Sequence, residues 1–76
     1  MPTRVDLRAA VGDRLPNARP PTVPEREWHA LARVLRDAAT YVAIGRELGV
    51  HASRARELAV RAVTRLRAAG LLAPGR

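Results

Sequence analysis

The sequence predicts a small all-α domain of three main helices. Apolar residues recur at helical spacing along most of the chain, and no segment shows the alternating pattern of a strand. Gly49 and Gly70 each follow such a segment, and glycine in the left-handed conformation commonly ends a helix. With 76 residues, the chain forms one small domain at most. Whether a short extra helix forms near the N-terminus is left open by the sequence.

The part of the chain before the main domain combines a short apolar pattern with a proline-rich stretch. A helix over residues 3–15 would place four side chains on one face: Leu7, Ala10, Val11 and Leu15. Residues 16–24 favour an extended linker, because proline cannot continue a helix. A tail, a docked extra helix and a partner-binding arm are the three roles left open. The predicted arm with linker, main domain and tail are residues 1–21, 22–72 and 73–76.

The first main helix begins with a capping box formed by Thr22 and Glu25, with Pro24 in its first turn. Its predicted buried stripe consists of Trp28, Leu31, Ala32 and Leu35. Trp28 is expected in the core, where its large ring contributes most to burial. The alternative is a surface ring that stacks on a base.

The next two helices have the pattern of a helix-turn-helix. Thr40 is the predicted N-cap of a helix over residues 41–48, and Gly49 ends that helix. The last helix runs over about residues 52–69 and ends at Gly70, with Leu71 expected to make the accompanying apolar contact. Two helices joined by a short turn containing glycine form this motif, and its second helix enters the DNA major groove.

The last helix has a core face and an opposite polar strip at about 100° per residue. The core face carries Ala55, Leu58, Ala59, Ala62, Leu66 and Ala69. The opposite strip carries Ser53, Glu57, Val60 and Thr64. Arginines flank this strip on both sides: Arg56 and Arg67 on one, Arg54, Arg61 and Arg65 on the other. A helix in a groove needs base-reading groups at its centre and cations towards both phosphate walls.

These faces give specific candidates for DNA contacts. The predicted base contacts are Ser53, Arg56 and Glu57. The predicted phosphate contacts are Thr40, Arg46, His51, Arg54, Arg61 and Arg65. Glu57 either accepts from a cytosine amino group or pairs with Arg61 to support the helix. His51 is an N-cap, a phosphate contact or an exposed turn residue, and Val60 contacts a thymine methyl group or a protein.

Charge favours a nucleic-acid partner. The formal net charge is +7, and every basic residue is arginine. Residues 1–45 carry a net charge of +2 and residues 46–76 a net charge of +5, so the positive charge concentrates on the predicted motif. A solvated helix face is the alternative. A membrane surface is disfavoured, because the apolar face of the last helix lacks aromatic residues.

Composition argues against catalysis and against a bound cofactor. The chain has no cysteine, and its two histidines, His29 and His51, lie on different predicted elements. We therefore expect no metal site, no cofactor and no small-molecule substrate. No nucleophile with a neighbouring base is predicted, so the protein is not expected to be an enzyme. No apolar run has the length of a membrane span or resembles a signal peptide, which predicts a cytoplasmic, nucleoid-associated location.

Residues 40–67 resemble region 4 of bacterial RNA polymerase sigma factors. The similarity begins at Thr40, continues through Ile44-Gly45-Arg46-Glu47-Leu48-Gly49-Val50, includes Arg54 and Arg56, and ends with Arg61-Ala62-Val63-Thr64-Arg65-Leu66-Arg67. With the preceding helix it covers roughly residues 22–68. The resemblance implies a bacterial or phage protein that binds DNA. It also implies RNA polymerase as a second partner, because region 4 docks on the polymerase flap.

Departures from the family pattern leave two functions open. In principal sigma factors, the positions aligned with Ala52, Ser53 and Glu57 carry the arginine, glutamate and glutamine that read the promoter −35 element. All three differ here, so the resemblance implies a retained scaffold with a different sequence preference. The first hypothesis is a transcriptional regulator that binds double-stranded DNA as a monomer or homodimer. The alternative is a protein-interaction module that binds RNA polymerase or itself and contacts DNA only nonspecifically.

Overall fold

The computed structural model of the protein describes Leu7, Val11 and residues 15–72. Three α-helices lie within residues 15–72: α1 (Glu25–Asp37), α2 (Tyr41–Leu48) and α3 (Ala52–Ala68). Helix α3 packs against both α1 and α2, and α1 also contacts α2. The predicted all-α helix-turn-helix architecture with three main helices is confirmed.

The start of α1 differs from the predicted capping box. Pro24 precedes the first helical residue in an extended conformation, with φ −57° and ψ 148°, and no side chain caps the helix. The amide of Val23 donates to the carbonyl of Pro20 at 3.1 Å, which closes a turn before the helix. Thr22 therefore lies outside the position from which a hydroxyl caps the first turn, and the capping-box prediction is wrong. Glu25 and Glu27 instead complement the positive end of the helix dipole.

The buried face of α1 is rotated relative to the predicted stripe. Its buried residues are Glu27, Ala30, Leu31 and Val34. Trp28 and Leu35 are half-buried and pack against the core, so the predicted core position of Trp28 holds, although its ring lies at the edge of the core. The guanidinium of Arg36 lies 5.5 Å from the centre of the indole ring, a cation–π contact. Glu27 takes an inward position, where its carboxylate pairs with an arginine of α3.

Helix α3 contributes small and branched side chains to the core of the domain. The predicted core residues Ala55, Leu58, Ala59, Ala62 and Leu66 are buried, and Val63 joins them. Ala69 is exposed and lies beyond the end of the helix, which contradicts its predicted core position. The largest fully buried side chains of the described residues are Leu31, Ile44, Leu66, Val11, Val23 and Val34.

The end of α3 is a Schellman motif. Gly70 has φ +72°, its amide donates to Arg67 O at 3.0 Å, and the amide of Leu71 donates to Leu66 O at 2.9 Å. The predicted ending at glycine is therefore confirmed. The apolar contact comes from Leu72, which is 7% exposed, whereas Leu71 is 44% exposed. The prediction for Leu71 was wrong by one residue, because the glycine reverses the chain and turns the following side chain outward.

Residues before the linker contribute to the same core. Leu7 and Val11 are helical and buried among the core residues, and Leu15 packs against them. Arg36 donates to Pro16 O at 2.7 Å and to Asn17 O at 3.2 Å, which holds the linker against α1. The other residues of the predicted helix at 3–15, and the predicted tail at 73–76, lie outside the described residues.

Helix α1 ends at an alanine in a strained conformation. Ala38 has φ +52°, in the left-handed region that glycine adopts without steric cost. Its amide and that of Ala39 both converge on the carbonyl of Arg33. The reversal is therefore well hydrogen-bonded although its central residue is not glycine.

We expect Ala38→Gly to raise the free energy of unfolding by about 0.5–1 kcal/mol, because it removes left-handed strain at an exposed position. Urea denaturation at neutral pH measures this change. The control is Ala68→Gly, which replaces an alanine in helical conformation and should lower stability by up to about 1 kcal/mol. A loss of stability in Ala38→Gly would contradict the account of strain at this turn.

Candidate nucleic-acid interface

The first helix of the motif is bounded by the predicted residues. The amide of Ala43 donates to Thr40 Oγ1 at 3.1 Å, so Thr40 is the N-cap of α2. Gly49 ends the helix with φ +71°, and the amide of Val50 donates to Gly45 O at 2.8 Å. Val50 then packs against the core as a partly buried residue. Both ends of α2 therefore confirm the prediction.

Gly45 allows the turn to lie directly on α2. A Cβ atom at this position would meet the carbonyl oxygen of Val50 at 2.5 Å and the carbonyl carbon of His51 at 3.3 Å. The close neighbour is therefore the backbone that leads into α3. Any side chain at Gly45 would push the start of α3 away from α2.

A histidine caps the N-terminus of α3. The amide of Ser53 donates to His51 Nδ1 at 3.1 Å, and Ser53 Oγ lies 3.0 Å from the same nitrogen. Nδ1 must be unprotonated to accept the amide hydrogen. Of the three roles considered for His51, the structure shows the N-cap, which also fixes the orientation of Ser53.

The outer face of α3 is exposed along most of its length. Ser53, Glu57 and Thr64 are exposed, and the hydroxyl of Thr64 donates to its own helix at Val60 O, 3.2 Å away. Val60 is partly buried and packs against the core, which corrects its placement on the exposed strip. A surface concavity of about 480 Å³ lies at the N-terminal half of this face, and its described lining is Ser53, Arg54, Arg56, Glu57 and Val60.

Glu57 lies between two arginines at the centre of this concavity. Arg54 Nη1 donates to Glu57 Oε1 at 2.8 Å, and Arg61 Nη2 donates to Glu57 Oε2 at 3.1 Å. The hydrogen bond from Arg54 is the main cause that lowers the pKa of Glu57, and the charge of Arg61 adds to it. The predicted helix-supporting pair with Arg61 is thus present, and Arg54 forms a second one.

Arg65 is held away from the other arginines of α3. Its Nε donates to Glu27 Oε1 at 2.6 Å, and its Nη2 lies 3.4 Å from Glu27 Oε2. Glu27 is only 5% exposed, so this forked pair joins α3 to the buried face of α1. The structure therefore gives Arg65 an interhelical pair, and because its side chain is 46% exposed, its phosphate contact stays a prediction. The two residues are far apart in sequence, so spacing gave no signal of this pair.

A second ionic cluster joins α1 to α2. Arg33 Nη2 donates to Glu47 Oε2 at 2.6 Å, and His29 Nε2 lies 2.8 Å from Glu47 Oε1. The hydrogen bond from Arg33 is the first cause that lowers the pKa of Glu47 to about 2. Arg26 adds a hydrogen bond to Leu48 O at 2.9 Å, at the C-terminal end of α2. The ionic partners lie on two helices and 14 to 18 positions apart, so no local sequence pattern predicts this cluster.

Two of the predicted DNA-contacting arginines have different exposure. Arg46 lies exposed in the last turn of α2, whereas Arg56 is half-buried in α3. Together with Arg54 and Arg61, these two arginines make four predicted DNA-contacting arginines that lie on α2 and α3. The described residues contain no group of three or more histidine, cysteine, aspartate or glutamate side chains suited to a metal ion.

Helix α2, the turn at Gly49 and helix α3 form a helix-turn-helix, and a comparison with protein-family models identifies the family. The family model described as Sigma-70, region 4 matches residues 21–68. This chain belongs to the sigma-70 region 4 family. No curated protein and no solved structure matches it significantly. Sigma-70 region 4 domains are helix-turn-helix domains that bind DNA and are not catalytic. Within the described residues, none of the helices combines the length and apolar character needed to span a bilayer.

We expect Gly45→Ala to lower the free energy of unfolding by about 3 kcal/mol, because the new methyl group meets backbone that cannot retract without moving the turn. The control is Gly49→Ala, where no atom lies within 4 Å of the added Cβ and only left-handed strain of about 1 kcal/mol is expected. Urea denaturation compares the two variants. Equal losses in both would contradict a close contact at Gly45.

The Glu47 cluster predicts a pH-dependent stability. The pKa of Glu47 is lowered in the folded protein. The carboxylate therefore contributes its full stabilisation at pH values above its ordinary pKa of about 4.5. This contribution is lost as the pH falls towards about 2. Wild type should therefore be more stable than Glu47→Gln at pH 7, and the difference should shrink between about pH 5 and pH 2. Denaturation of both proteins across this range measures it, with Glu25→Gln as an exposed α1 control, and a pH-independent difference would contradict the assignment.

Proposed function

We propose that this domain is a transcriptional regulator that places α3 in the major groove of double-stranded DNA. The observation that carries the proposal is the outer face of α3, where exposed Ser53 and Glu57 lie among arginines on the side opposite the buried alanine and leucine face. A positive helix face with polar groups at its centre matches what a groove-reading helix requires. Membership of a DNA-binding family supports it.

The base contacts proposed are Ser53, Arg56 and Glu57. The N-terminal part of a recognition helix usually reads base edges, and all three lie in the first two turns of α3. Arginine can pair with guanine, a carboxylate can accept from the cytosine amino group, and serine can donate or accept. These side chains differ from those that read the −35 element in principal sigma factors, so the proposed target is a different sequence.

The phosphate contacts proposed are Thr40, Arg46, His51, Arg54 and Arg61. Thr40 and His51 are the caps of α2 and α3, and helix N-termini favour anions. The three arginines add charge along the motif. Arg65 is also proposed but as a weaker contact, because its partner Glu27 is only 5% exposed, whereas Arg54 and Arg61 pair with the exposed Glu57. The cytoplasmic, nucleoid-associated location follows from this function and remains part of the proposal.

Selection of binders from a random duplex library, followed by variant binding to the recovered duplex, tests this proposal. Arg54→Ala and Arg61→Ala should each weaken binding and make the log–log salt slope shallower by about 0.9. Ser53→Ala and Arg56→Ala should change which sequences are recovered. Arg36→Ala, which removes the same charge from α1, is the control and should affect binding less than either α3 variant.

Two outcomes would contradict the proposal or limit it. Duplex binding that is unchanged in all four α3 variants would show that another surface holds the DNA. Recovery of no motif, with salt-sensitive binding to every sequence, would leave only nonspecific contact. One recovered half-site would indicate a monomer, and two half-sites about one helical turn apart would indicate a homodimer.

The second candidate is a protein-interaction module that binds RNA polymerase or a second copy. Exposed apolar side chains favour it: Val42 is 54% exposed and Leu71 is 44% exposed. Val60, for which the sequence left a protein contact open, is partly buried against the core, and Leu72 is buried, so neither supports this function. Binding to purified polymerase that survives Arg54→Gln, Arg56→Gln and Arg61→Gln would favour this function over DNA reading.

A further inference from the structure

Glu57 is the only acidic residue in α3, which carries five arginines. Its side chain is 48% exposed, and each of its carboxylate oxygens accepts a hydrogen bond from a different guanidinium. The bond from Arg54 lowers the pKa of Glu57, so the carboxylate stays ionised at neutral pH. The free domain therefore holds a negative charge at the centre of the face proposed to meet DNA.

The two arginines are turned towards this carboxylate. Arg54 and Arg61 lie one turn before and one turn after Glu57, at 2.8 Å and 3.1 Å from its oxygens. Carboxylate and phosphate oxygens compete for the same planar donors of a guanidinium. Each arginine uses one nitrogen of its guanidinium on Glu57. An arginine that extends towards a phosphate moves its guanidinium away from Glu57 and weakens this bond, and the carboxylate then gains from another hydrogen-bond donor.

We propose that Glu57 is an electrostatic gate that withholds Arg54 and Arg61 from DNA phosphates until a base edge donates a hydrogen bond to its carboxylate. This inference rests on the proposed function, because it assumes that α3 lies in the major groove. It goes further by making Glu57 a residue that controls when two phosphate contacts form.

The chemistry of the groove decides when the gate opens. Cytosine N4 and adenine N6 present amino donors in the major groove, whereas guanine O6 and N7 and thymine O4 present acceptors. A Glu57 carboxylate that faces acceptor atoms gains no hydrogen bond from the DNA. Its hydrogen bonds to the two arginines therefore stay in place. On such sequences the two arginines remain paired with Glu57. On a sequence that places an amino group opposite Glu57, both become available to phosphates.

Salt dependence measures the gate directly, because each new arginine–phosphate contact steepens the slope by about 0.9. Fluorescence anisotropy with a labelled duplex carrying the selected motif, and with a random-sequence duplex pool, gives both slopes. For wild type, we expect the salt slope on the selected duplex to be steeper by about 1.8 than the slope on the random duplex, because two further arginine–phosphate contacts form. For Glu57→Gln, the slope on random duplex should steepen by about 1.8 and affinity should rise roughly tenfold.

Matched variants separate the gate from a general charge effect. Glu25→Gln makes the same change in net charge at an exposed position of α1, and it should leave the random-duplex slope nearly unchanged. In the background Arg54→Gln/Arg61→Gln, the change Glu57→Gln should no longer steepen the slope. Glu57→Ala serves as a second variant and should reproduce the effect of Glu57→Gln.

Several outcomes would overturn the gate. The first is a salt slope on random duplex that steepens as much in Glu25→Gln as in Glu57→Gln. The second is a slope that is unchanged in both Glu57→Gln and Glu57→Ala. The third is a slope that still steepens on Glu57→Gln when Arg54 and Arg61 have been replaced. Any of these leaves the proposed function standing if wild type still selects a motif. Absence of duplex binding by wild type would overturn the proposed function and the gate together.

Discussion

The close contact between Gly45 and the turn fixes the geometry on which the DNA-facing surface depends. The carbonyl of Val50 lies where a side chain of residue 45 would begin, and the amide of Val50 returns to the carbonyl of Gly45 at 2.8 Å. The turn is thereby closed on α2, and α3 can start only in one direction. The side-chain caps at Thr40 and His51 then set where each helix begins, so the turn and the two caps together orient the outer face of α3.

Ionic contacts between helices complete the frame and engage some of the arginines in the packing of the domain. Glu27 holds Arg65 between α1 and α3, and Glu47 holds Arg33 between α1 and α2. A high arginine content therefore does not translate directly into a large phosphate-binding surface. Part of the positive charge stabilises the packing of the helices, and Glu57 restrains another part on the outer face of α3. The number of available cations is a property of the folded domain.

Local patterns predicted the motif well, and long-range contacts set the limits of prediction. The N-cap at Thr40 and the glycines at 49 and 70 were predictable because each depends on residues within one helical turn. The role of Arg65 was not, because it depends on Glu27, which is remote in sequence. The pair Glu57–Arg61 was predictable from its spacing of four residues along the helix. Whether Glu57 keeps this pair or accepts from a cytosine amino group depends on the DNA complex and not on the free domain.

Amide chemical-shift mapping is the measurement that tests the account most directly. ¹⁵N-labelled protein would be titrated with a short duplex carrying the motif recovered by selection. The account predicts that the largest changes fall on α3 between Ser53 and Arg61 and at the two caps, Thr40 and His51, with little change along α1. Changes confined to α1, or their absence at saturating duplex, would contradict the claim that the outer face of α3 binds DNA.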